Sequence, residues 1–517
     1  MTAGPAQRTA VRPDLDRLAR GAVLTLAGSA VSALATFGFT VVVTRGSSPE
    51  QAGIFFALTG LFVMCGALAR LGVPVGLVYF LSRQRTTGDE HLMRAVVRHA
   101  AGTVTALAVG LGLVGVAAAG PLAEALVGTR GGGSTALLRW LSAGLVFAAL
   151  TDVGIATTRG LGALRPLVLV DRIGRPVAQL LLAVGVVLAG LHSALALGLA
   201  WVLPWVPCAV LVLLWADRLR TGVERRSGRT GSTALAPGQR AAFWRFTAPR
   251  SIGSIAQLAL QRSDIVLVGA LRGPRDAAIY TAATRFLVFG QLGASSITTT
   301  IQPTLAQLLV QDDRSGARSV YRVATVWLVL LAWPVYLLSA VFAEQLLAVF
   351  GSEYRIGSGV IVVLSLVMLV ATASGPVDVV LTMAGRSSWT MANSLAALTA
   401  NVALNLLLIP RVGILGAALA WAVAIALNNL VPLAQLAVSM RLHPFGRSSG
   451  LAAALAAGCF GALPLAVRLV LGGGAGVAVG TAAACTCLYA ALLWRWRDRL
   501  ELDSLLAMRR RGRAGAA

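Results

Sequence analysis

The chain has 517 residues, of which 57% are hydrophobic and only 12% are charged. A soluble domain carries about 25% charged residues, so this composition excludes a soluble globular protein and indicates an integral membrane protein. All 44 basic residues are arginine, and the formal net charge is +24. In a membrane chain such an excess is typical of arginine-rich loops on the cytoplasmic side, so we expect no nucleic-acid partner.

Fourteen apolar runs are long enough to cross a bilayer, which takes about 20 residues. In chain order they are 20–44, 51–82, 98–119, 135–157, 166–190, 193–216, 247–271, 276–310, 319–343, 357–383, 388–410, 413–440, 449–471 and 475–494. The predicted fold class is therefore an all-α integral membrane protein with about 14 transmembrane helices. The second run is interrupted by "RLGVPVG", which predicts a bend there.

The arginines are distributed unequally between alternate loops. With the N-terminus placed in the cytoplasm, thirty arginines fall in segments on the inner side and seven in segments on the outer side. Positively charged loops stay on the cytoplasmic side of a membrane, so we expect both termini to be cytoplasmic. The expected location is a bacterial plasma (inner) membrane, which the chain crosses many times.

One junction occurs twice in the chain. The stretch "VVVTRGSSPEQAGIFFAL" (41–58) aligns without a gap on "VLVGALRGPRDAAIYTAA" (266–283), with Pro49 on Pro274. The first stretch joins runs 1 and 2, and the second joins runs 7 and 8. Because six runs separate them, both junctions face the same side. This predicts two six-helix bundles related by a pseudo-two-fold axis along the membrane normal, a known transporter architecture.

The repeat and the charge pattern divide the chain into six parts. They are a cytoplasmic N-terminal segment (1–19), an N-terminal six-helix bundle (20–216), a basic cytoplasmic linker (217–246), a C-terminal six-helix bundle (247–440), two additional transmembrane helices (449–494) and a basic cytoplasmic tail (495–517).

Three stretches resemble a known family. "SSPEQAGIFFALTGLFVMCGALARLGVPVGLVYFLSR" is similar to the first hairpin of polysaccharide flippases, "RSDIVLVGALRGPRDAAIYTAATR" to their junction between spans 7 and 8, and "NVALNLLLIPRVGILGAALAWAVA" to the run before their span 12. The chain thus resembles Wzx-type polysaccharide and O-antigen flippases. These belong to the multidrug/oligosaccharidyl-lipid/polysaccharide (MOP) superfamily, together with MurJ lipid II flippases and MATE exporters.

The resemblance implies a flippase without enzymatic activity or cofactor. Its cargo would be an undecaprenyl-pyrophosphate-linked oligosaccharide, moved from the cytoplasmic to the outer leaflet by alternating access. The partners would be that polyprenyl-pyrophosphate-linked oligosaccharide, membrane lipid and other polysaccharide-assembly proteins.

Charged residues inside the predicted spans are the candidate functional residues, because a charge at the bilayer centre costs about 2.5–3.5 kcal/mol on insertion scales. Arginine binds phosphate through two parallel hydrogen bonds and keeps its charge, which suits an anionic cargo. We expect a cationic substrate-binding cavity formed by Arg262, Arg285, Arg70 and Arg172. The candidates for coupling or ion pairing are Asp264, Asp378 and Asp152. Asp171 and Arg175 are four residues apart, which predicts an ion pair on one helical face.

Several alternatives remain open on the sequence. Arg262 or Arg285 could form a structural ion pair with Asp264 instead of lining a cavity. The chain could be a MurJ-like lipid II flippase, a MATE-like drug exporter, or an enzyme that uses a polyprenyl-phosphate sugar, such as a multi-span glycosyltransferase or polymerase. Against an enzyme, the sequence contains no HExxH motif. Its four histidines and five cysteines form no zinc-ligand spacing, so we expect no metal site.

Overall fold

The computed structural model describes residues 15–128, 132–227, 232 and 234–500. The first 14 residues of the predicted N-terminal segment, positions 228–231 and 233 of the predicted linker, and the tail beyond residue 500 lie outside the described residues. Within the described ranges the chain is helical and contains no β-strand. The predicted all-α membrane fold class is confirmed.

Helices cover all fourteen predicted runs, and we number them span 1 to span 14 accordingly. In the N-terminal half, span 1 is Leu15–Gly46, span 2 is Pro49–Arg70 and Val73–Thr87, span 3 is Met93–Ala117, span 4 is Gly132–Gly160, span 5 is Leu167–Gly174 and Arg175–Leu188, and span 6 is Ala194–Val202 and Trp205–Ser227.

In the C-terminal half, span 7 is Pro237–Arg272, span 8 is Pro274–Thr284 and Leu287–Val310, span 9 is Arg314–Val341, span 10 is Ser358–Ala373 and Val377–Met383, span 11 is Ser387–Val412, span 12 is Ile414–Met440, span 13 is Arg447–Ala457, Gly458–Ala462 and Leu463–Leu471, and span 14 is Ala475–Arg495. Shorter helices are Ala119–Val127 and Ala343–Leu347, with 3-10 turns at Glu90–Leu92 and Ser352–Gly357.

Eleven helices of the described chain are long and apolar enough to cross a membrane. The three predicted runs that fall short are spans 5, 7 and 8, so fourteen crossings stay a prediction. Those spans carry Arg172, Arg262 and Arg285. A helix that faces a polar interior needs less apolar surface than one surrounded by lipid, which explains why these three are the exceptions.

The predicted bend in span 2 is present. The first segment ends at Arg70, and Leu71 and Gly72 both adopt left-handed backbone angles, with φ of 42° and 64°. A new helix begins at Val73, and its second residue, Pro74, cannot continue a preceding helix. Glycine adopts positive φ freely, so the "LG" pair permits the break.

The two repeated junctions meet each other. Pro49 and Pro274 each begin a helix, where the missing N–H of proline costs nothing. A Cβ atom added to Gly53 would collide with the carbonyl group of Pro274. Glycine is therefore required where span 2 crosses the start of span 8, and both junctions lie at the same end of the molecule.

Spans 2 and 7 also contact each other farther from the two junctions. Ser251 of span 7 donates a hydrogen bond to the Leu71 carbonyl at the break in span 2. One helical turn or two further on, the rings of Tyr79 and Phe246 stack with centroids 4.0 Å apart. Span 2 therefore holds the two halves together along the length of span 7.

Helices extend into the region predicted as a linker. Span 6 continues to Ser227 and span 7 begins at Pro237, so most of 217–246 is helical. The physical reason is local charge pairing: Arg220 binds Asp217 and Glu224, at 2.6 Å for Glu224, in i,i+3 and i,i+4 pairs that support a helix outside the membrane.

Candidate functional site

Two adjoining cavities lie at the centre of the molecule, between the two halves. The larger, which we call the arginine cavity, has a volume of about 350 Å³. The second, which we call the aromatic cavity, has a volume of about 290 Å³. Thr36, Arg262 and Arg285 line both, so the two cavities meet at this pair of arginines.

The arginine cavity is bounded by spans 1, 5, 7 and 8. Ser29, Ser32 and Thr36 from span 1 supply hydroxyl groups, while Arg172, Arg262 and Arg285 supply positive charge. The serines and the threonine lie three or four residues apart, so they share one face of span 1. No aspartate or glutamate lines this cavity.

Arg262 and Arg285 have no carboxylate partner within the described ranges. Neither forms an ion pair, and the buried Nε atom of each has no hydrogen-bond partner. The Arg285 guanidinium lies 6.0 Å from the centre of the Phe56 ring. Both arginines are half-buried, so each carries a positive charge at the cavity that no carboxylate of the described chain offsets.

Asp264 is turned away from these arginines into a polar network. Its Oδ2 accepts a hydrogen bond from Tyr280 at 3.0 Å, and its Oδ1 accepts one from Asn405 at 2.8 Å. Asn405 also donates to Asn401, whose Oδ1 accepts from Ser263. Asp264 is only 3% exposed. The alternative of an ion pair between Asp264 and Arg262 or Arg285 is therefore absent from this structure.

Arg70 lines neither cavity. It donates hydrogen bonds to the Gly66 carbonyl at 3.0 Å and to Asp152 of span 4 at 2.8 Å. Both side chains of the Arg70–Asp152 pair are about a quarter exposed. The expectation that Arg70 joins the cationic cavity is corrected here, because a carboxylate on a neighbouring helix neutralises it.

Of the two arginines near Asp171 in span 5, Arg175 forms the close ion pair, as the four-residue spacing predicts. Asp171 accepts from Arg175 at 2.7 Å, while its distance to Arg172 is 3.9 Å. Arg172 is the more exposed arginine of the two, and its Nε has no hydrogen-bond partner. Arg175 is compensated, so Arg172 contributes the net charge that span 5 brings to the arginine cavity.

Asp378 lies at the start of the second segment of span 10. Its Oδ1 is buried without a hydrogen-bond partner, and no ion pair of the described chain includes it. Asp378 therefore differs from Asp152, which pairs with Arg70, although the sequence suggested similar functions for both aspartates.

The aromatic cavity was not predicted from the sequence. Its walls include Trp201 and Trp205 of span 6, Phe55 and Phe56 of span 2, and Gln179 of span 5. Trp201 and Trp205 are four residues apart on either side of the break in span 6, and this spacing is the signal that could have indicated a common site. In an apolar span, however, that spacing is equally typical of ordinary packing.

No cluster of three histidine, cysteine, aspartate or glutamate residues suited to a metal ion occurs in the described ranges. The free cysteines there are scattered, three of them buried.

Comparison with known proteins connects this architecture to transporters. Residues 249–407 match the MatE family. The probable low-salt glycan biosynthesis flippase Agl15 of Haloferax volcanii is 24% identical over 169 residues, which cover 32% of this chain and 36% of that relative. The alignment therefore spans about a third of the relative's length.

Two solved structures share the fold over most of the chain. The lipid II flippase MurJ in an inward closed conformation superimposes with a TM-score of 0.70 at 11% identity, covering 93% of this chain and 99% of that one. The family match and the shared fold support the multidrug/oligosaccharidyl-lipid/polysaccharide superfamily. An inward-facing MATE-family multidrug resistance transporter of this superfamily superimposes with a TM-score of 0.63 at 16% identity, covering 81% and 99% of the two chains.

These similarities agree with the resemblance to the MOP superfamily that the three sequence motifs carry. The eleven long apolar helices of the described chain are typical of a multi-pass membrane protein. At identities of 11% and 16% the solved structures establish the fold and not the cargo.

Proposed function

We propose that this protein moves an undecaprenyl-pyrophosphate-linked oligosaccharide from the cytoplasmic to the outer leaflet by alternating access, without enzymatic activity or cofactor. The observation that carries the proposal is the pair Arg262 and Arg285, which lines both central cavities and has no carboxylate partner in the described chain. The names of two similar proteins, a probable glycan biosynthesis flippase and a lipid II flippase, support a lipid-linked cargo.

The chemistry of the cargo matches that pair. A pyrophosphate carries several negative charges, and moving it unaided through hydrocarbon would cost many kcal/mol. Guanidinium groups bind phosphate oxygens through charge-assisted, bidentate hydrogen bonds and stay charged at any physiological pH. Arg262 and Arg285 would replace the water and counterions of the pyrophosphate, with Arg172 adding a third positive charge at the edge of the cavity.

The arrangement of the cavity favours entry from the inner leaflet. The arginine cavity reaches between spans 1 and 8, where its walls include the half-buried Ser29 and the exposed Val288. At the opposite end span 1 is tied to the C-terminal half, because Arg45 donates to the carbonyl oxygens of Ala348 and Val349 at 2.7 and 2.9 Å. A headgroup would enter between spans 1 and 8 while its polyprenyl tail stays in lipid.

We assign different roles to the three aspartates. Asp152 holds spans 2 and 4 together through Arg70. Asp264 is the coupling candidate, since a buried carboxylate held by Tyr280 and Asn405 can take up a proton or another small cation. Asp378 is a second coupling candidate because its buried Oδ1 has no partner. The proposed location is a bacterial plasma membrane with both termini cytoplasmic, next to other polysaccharide-assembly proteins.

A MurJ-like activity on lipid II is the second candidate, favoured by the higher TM-score to MurJ than to the MATE transporter. A MATE-like exporter of cationic drugs would need acidic walls, and the two cavities contain none. A glycosyltransferase or polymerase would need catalytic groups at a cavity, whereas these cavities offer arginines, hydroxyls and aromatic rings.

Purified protein in liposomes tests the proposal. Three cargoes are compared in separate vesicles: a fluorescent undecaprenyl-pyrophosphate-linked oligosaccharide, fluorescent lipid II and a cationic dye. A membrane-impermeant reductant reports the fraction in the outer leaflet over time. We expect the oligosaccharide lipid to cross faster than in protein-free liposomes. Transport restricted to lipid II would establish the second candidate, and transport of the dye alone would overturn both.

A further inference from the structure

The aromatic cavity lies next to the arginine pair on the side away from Ser29 and Ser32. Its walls include span 1 near Phe39 and span 2 near Phe55, together with Trp201 and Trp205. Trp201 is partly exposed and lies edge-to-face with Trp205 at a centroid distance of 6.3 Å. The arginine pair thus lies between a cavity with charged walls and a cavity with aromatic walls.

Neutral polar groups are placed among these rings. The indole Nε1 of Trp205 is buried without a hydrogen-bond partner, although buried indole N–H groups normally have one. The Gln179 amide also lines the cavity and donates to the Trp201 carbonyl at 2.7 Å. Thr40 and Thr59 donate to carbonyls of their own helices, so their hydroxyl oxygens remain able to accept.

The aromatic cavity differs in charge from its neighbour. Arg175 is the one arginine found only in this cavity, and Asp171 neutralises it at 2.7 Å. Its guanidinium stacks on Trp205, 4.1 Å from the ring centre, which fixes the position of the indole. With no acidic side chain in its walls, the cavity has no net charge beyond the arginine pair that it shares.

We propose that the aromatic cavity is a subsite for the first sugar of the cargo, a neutral pyranose attached directly to the pyrophosphate. This inference rests on the proposed function. A pyranose has an apolar C–H face, which packs on an aromatic ring, and a rim of hydroxyl oxygens, which accept hydrogen bonds. Trp201 supplies the ring, and Trp205 supplies the unpartnered N–H.

The order of the groups agrees with the order of the cargo. Entering between spans 1 and 8, a lipid-linked glycan presents its tail at the membrane, its pyrophosphate next and its first sugar beyond. The cavities present the gap between spans 1 and 8, then Arg262 and Arg285, then the tryptophans. A sugar in the aromatic cavity would therefore leave the pyrophosphate at the arginine pair.

Binding to the purified full-length protein, measured by native mass spectrometry, tests this subsite. The probes are undecaprenol, undecaprenyl pyrophosphate, and undecaprenyl pyrophosphate carrying N-acetylglucosamine, galactose or galacturonic acid. The variants are Trp201→Ala and Trp205→Phe, which keeps the ring but removes the N–H. The control is Trp140→Ala, because Trp140 is 51% exposed on span 4, outside both cavities.

We expect at least one neutral sugar to raise the affinity about tenfold over undecaprenyl pyrophosphate, as one ring contact and one hydrogen bond would. Galacturonic acid should give no greater gain. Trp201→Ala should remove the gain, Trp205→Phe should reduce it about threefold or more, and neither should change the affinity for undecaprenyl pyrophosphate.

Three results would overturn the inference. They are equal affinities of the wild-type protein with and without a neutral sugar, a sugar gain that survives in both tryptophan variants, and a gain specific to galacturonic acid. In each case binding of undecaprenyl pyrophosphate over undecaprenol would leave the proposed function intact. Equal affinities for undecaprenol and undecaprenyl pyrophosphate would instead overturn the proposed function, and this inference with it.

Discussion

The hydroxyl of Tyr280 donates a hydrogen bond of 3.0 Å to the carboxylate of Asp264, and this contact decides the character of the central cavity. Asp264 lies two residues from Arg262 and was the nearest candidate to neutralise it. Because Tyr280 and Asn405 occupy the carboxylate instead, Arg262 and Arg285 face the cavity as uncompensated cations.

Replacing Arg285 with alanine should lower the rate of lipid-linked oligosaccharide transport in liposomes about tenfold to a hundredfold, the equivalent of one lost charged hydrogen-bonding partner. Arg285→Lys should recover part of the rate, because lysine keeps the charge and loses the bidentate geometry.

The matched control is Arg139→Ala, since Arg139 is exposed on span 4 outside both cavities. It should transport normally. A charge-swapped variant, Arg285→Asp with Asp264→Arg, should stay inactive. Recovery of full transport by that swap would show that the two residues form a functional ion pair, contrary to the structure.

Gly53→Ala should destabilise the contact between spans 2 and 8. The added Cβ would collide with the Pro274 carbonyl, and overpacking of this kind costs about 1–3 kcal/mol. We expect a lower thermal unfolding temperature in detergent and slower transport. Gly110→Ala is the control, because Gly110 is exposed within span 3 and has open space around it. An unchanged unfolding temperature for Gly53→Ala would contradict the packing described here.

The Arg70–Asp152 pair should behave as a structural contact. Either Arg70→Ala or Asp152→Ala should destabilise the folded protein by about 1–3 kcal/mol, because each leaves a partly buried charge without its partner. Exchanging the two residues should recover most of the stability and much of the transport. Loss of transport at unchanged stability in Arg70→Ala would return Arg70 to the cargo site.

Asp264→Asn separates coupling from binding. The amide oxygen can still accept from Tyr280, but the side chain can no longer change its charge. We expect the affinity for cargo to stay within about threefold of the wild-type value, which is less than the effect of one lost neutral hydrogen bond. Transport should no longer respond to an imposed ion gradient. Tyr280→Phe, which removes one hydrogen bond and keeps the carboxylate, should retain that response. Gradient-dependent transport by Asp264→Asn would exclude Asp264 as the coupling group.

Local signals in the sequence predicted much of the fold. The break at Leu71 and Gly72 and the helix starts at Pro49 and Pro274 follow from the backbone limits of proline and glycine, which act within a few residues. The pair Asp171–Arg175 was predictable for the same reason, since both residues lie on one helix.

Tertiary contacts limited the prediction of the site. Arg70 and Asp152 are 82 residues apart, and no spacing rule relates two positions on different helices. Trp201 and Trp205 resemble ordinary apolar packing until span 5 brings Gln179 and Arg175 against them. Arg262 and Arg285 were identifiable because a charge inside a span is rare enough to be noticed without knowing its neighbours.

The most direct test of the arginine site compares the binding of undecaprenyl pyrophosphate with that of undecaprenol, which lacks the phosphates. For the wild-type protein we expect the pyrophosphate to bind at least about 100-fold more tightly, as two charged hydrogen-bonding groups would provide. In the double variant Arg262→Ala, Arg285→Ala this preference should fall to about tenfold or less, with only Arg172 remaining at the cavity. A double variant that keeps the full wild-type preference would contradict the assignment of these arginines to the pyrophosphate.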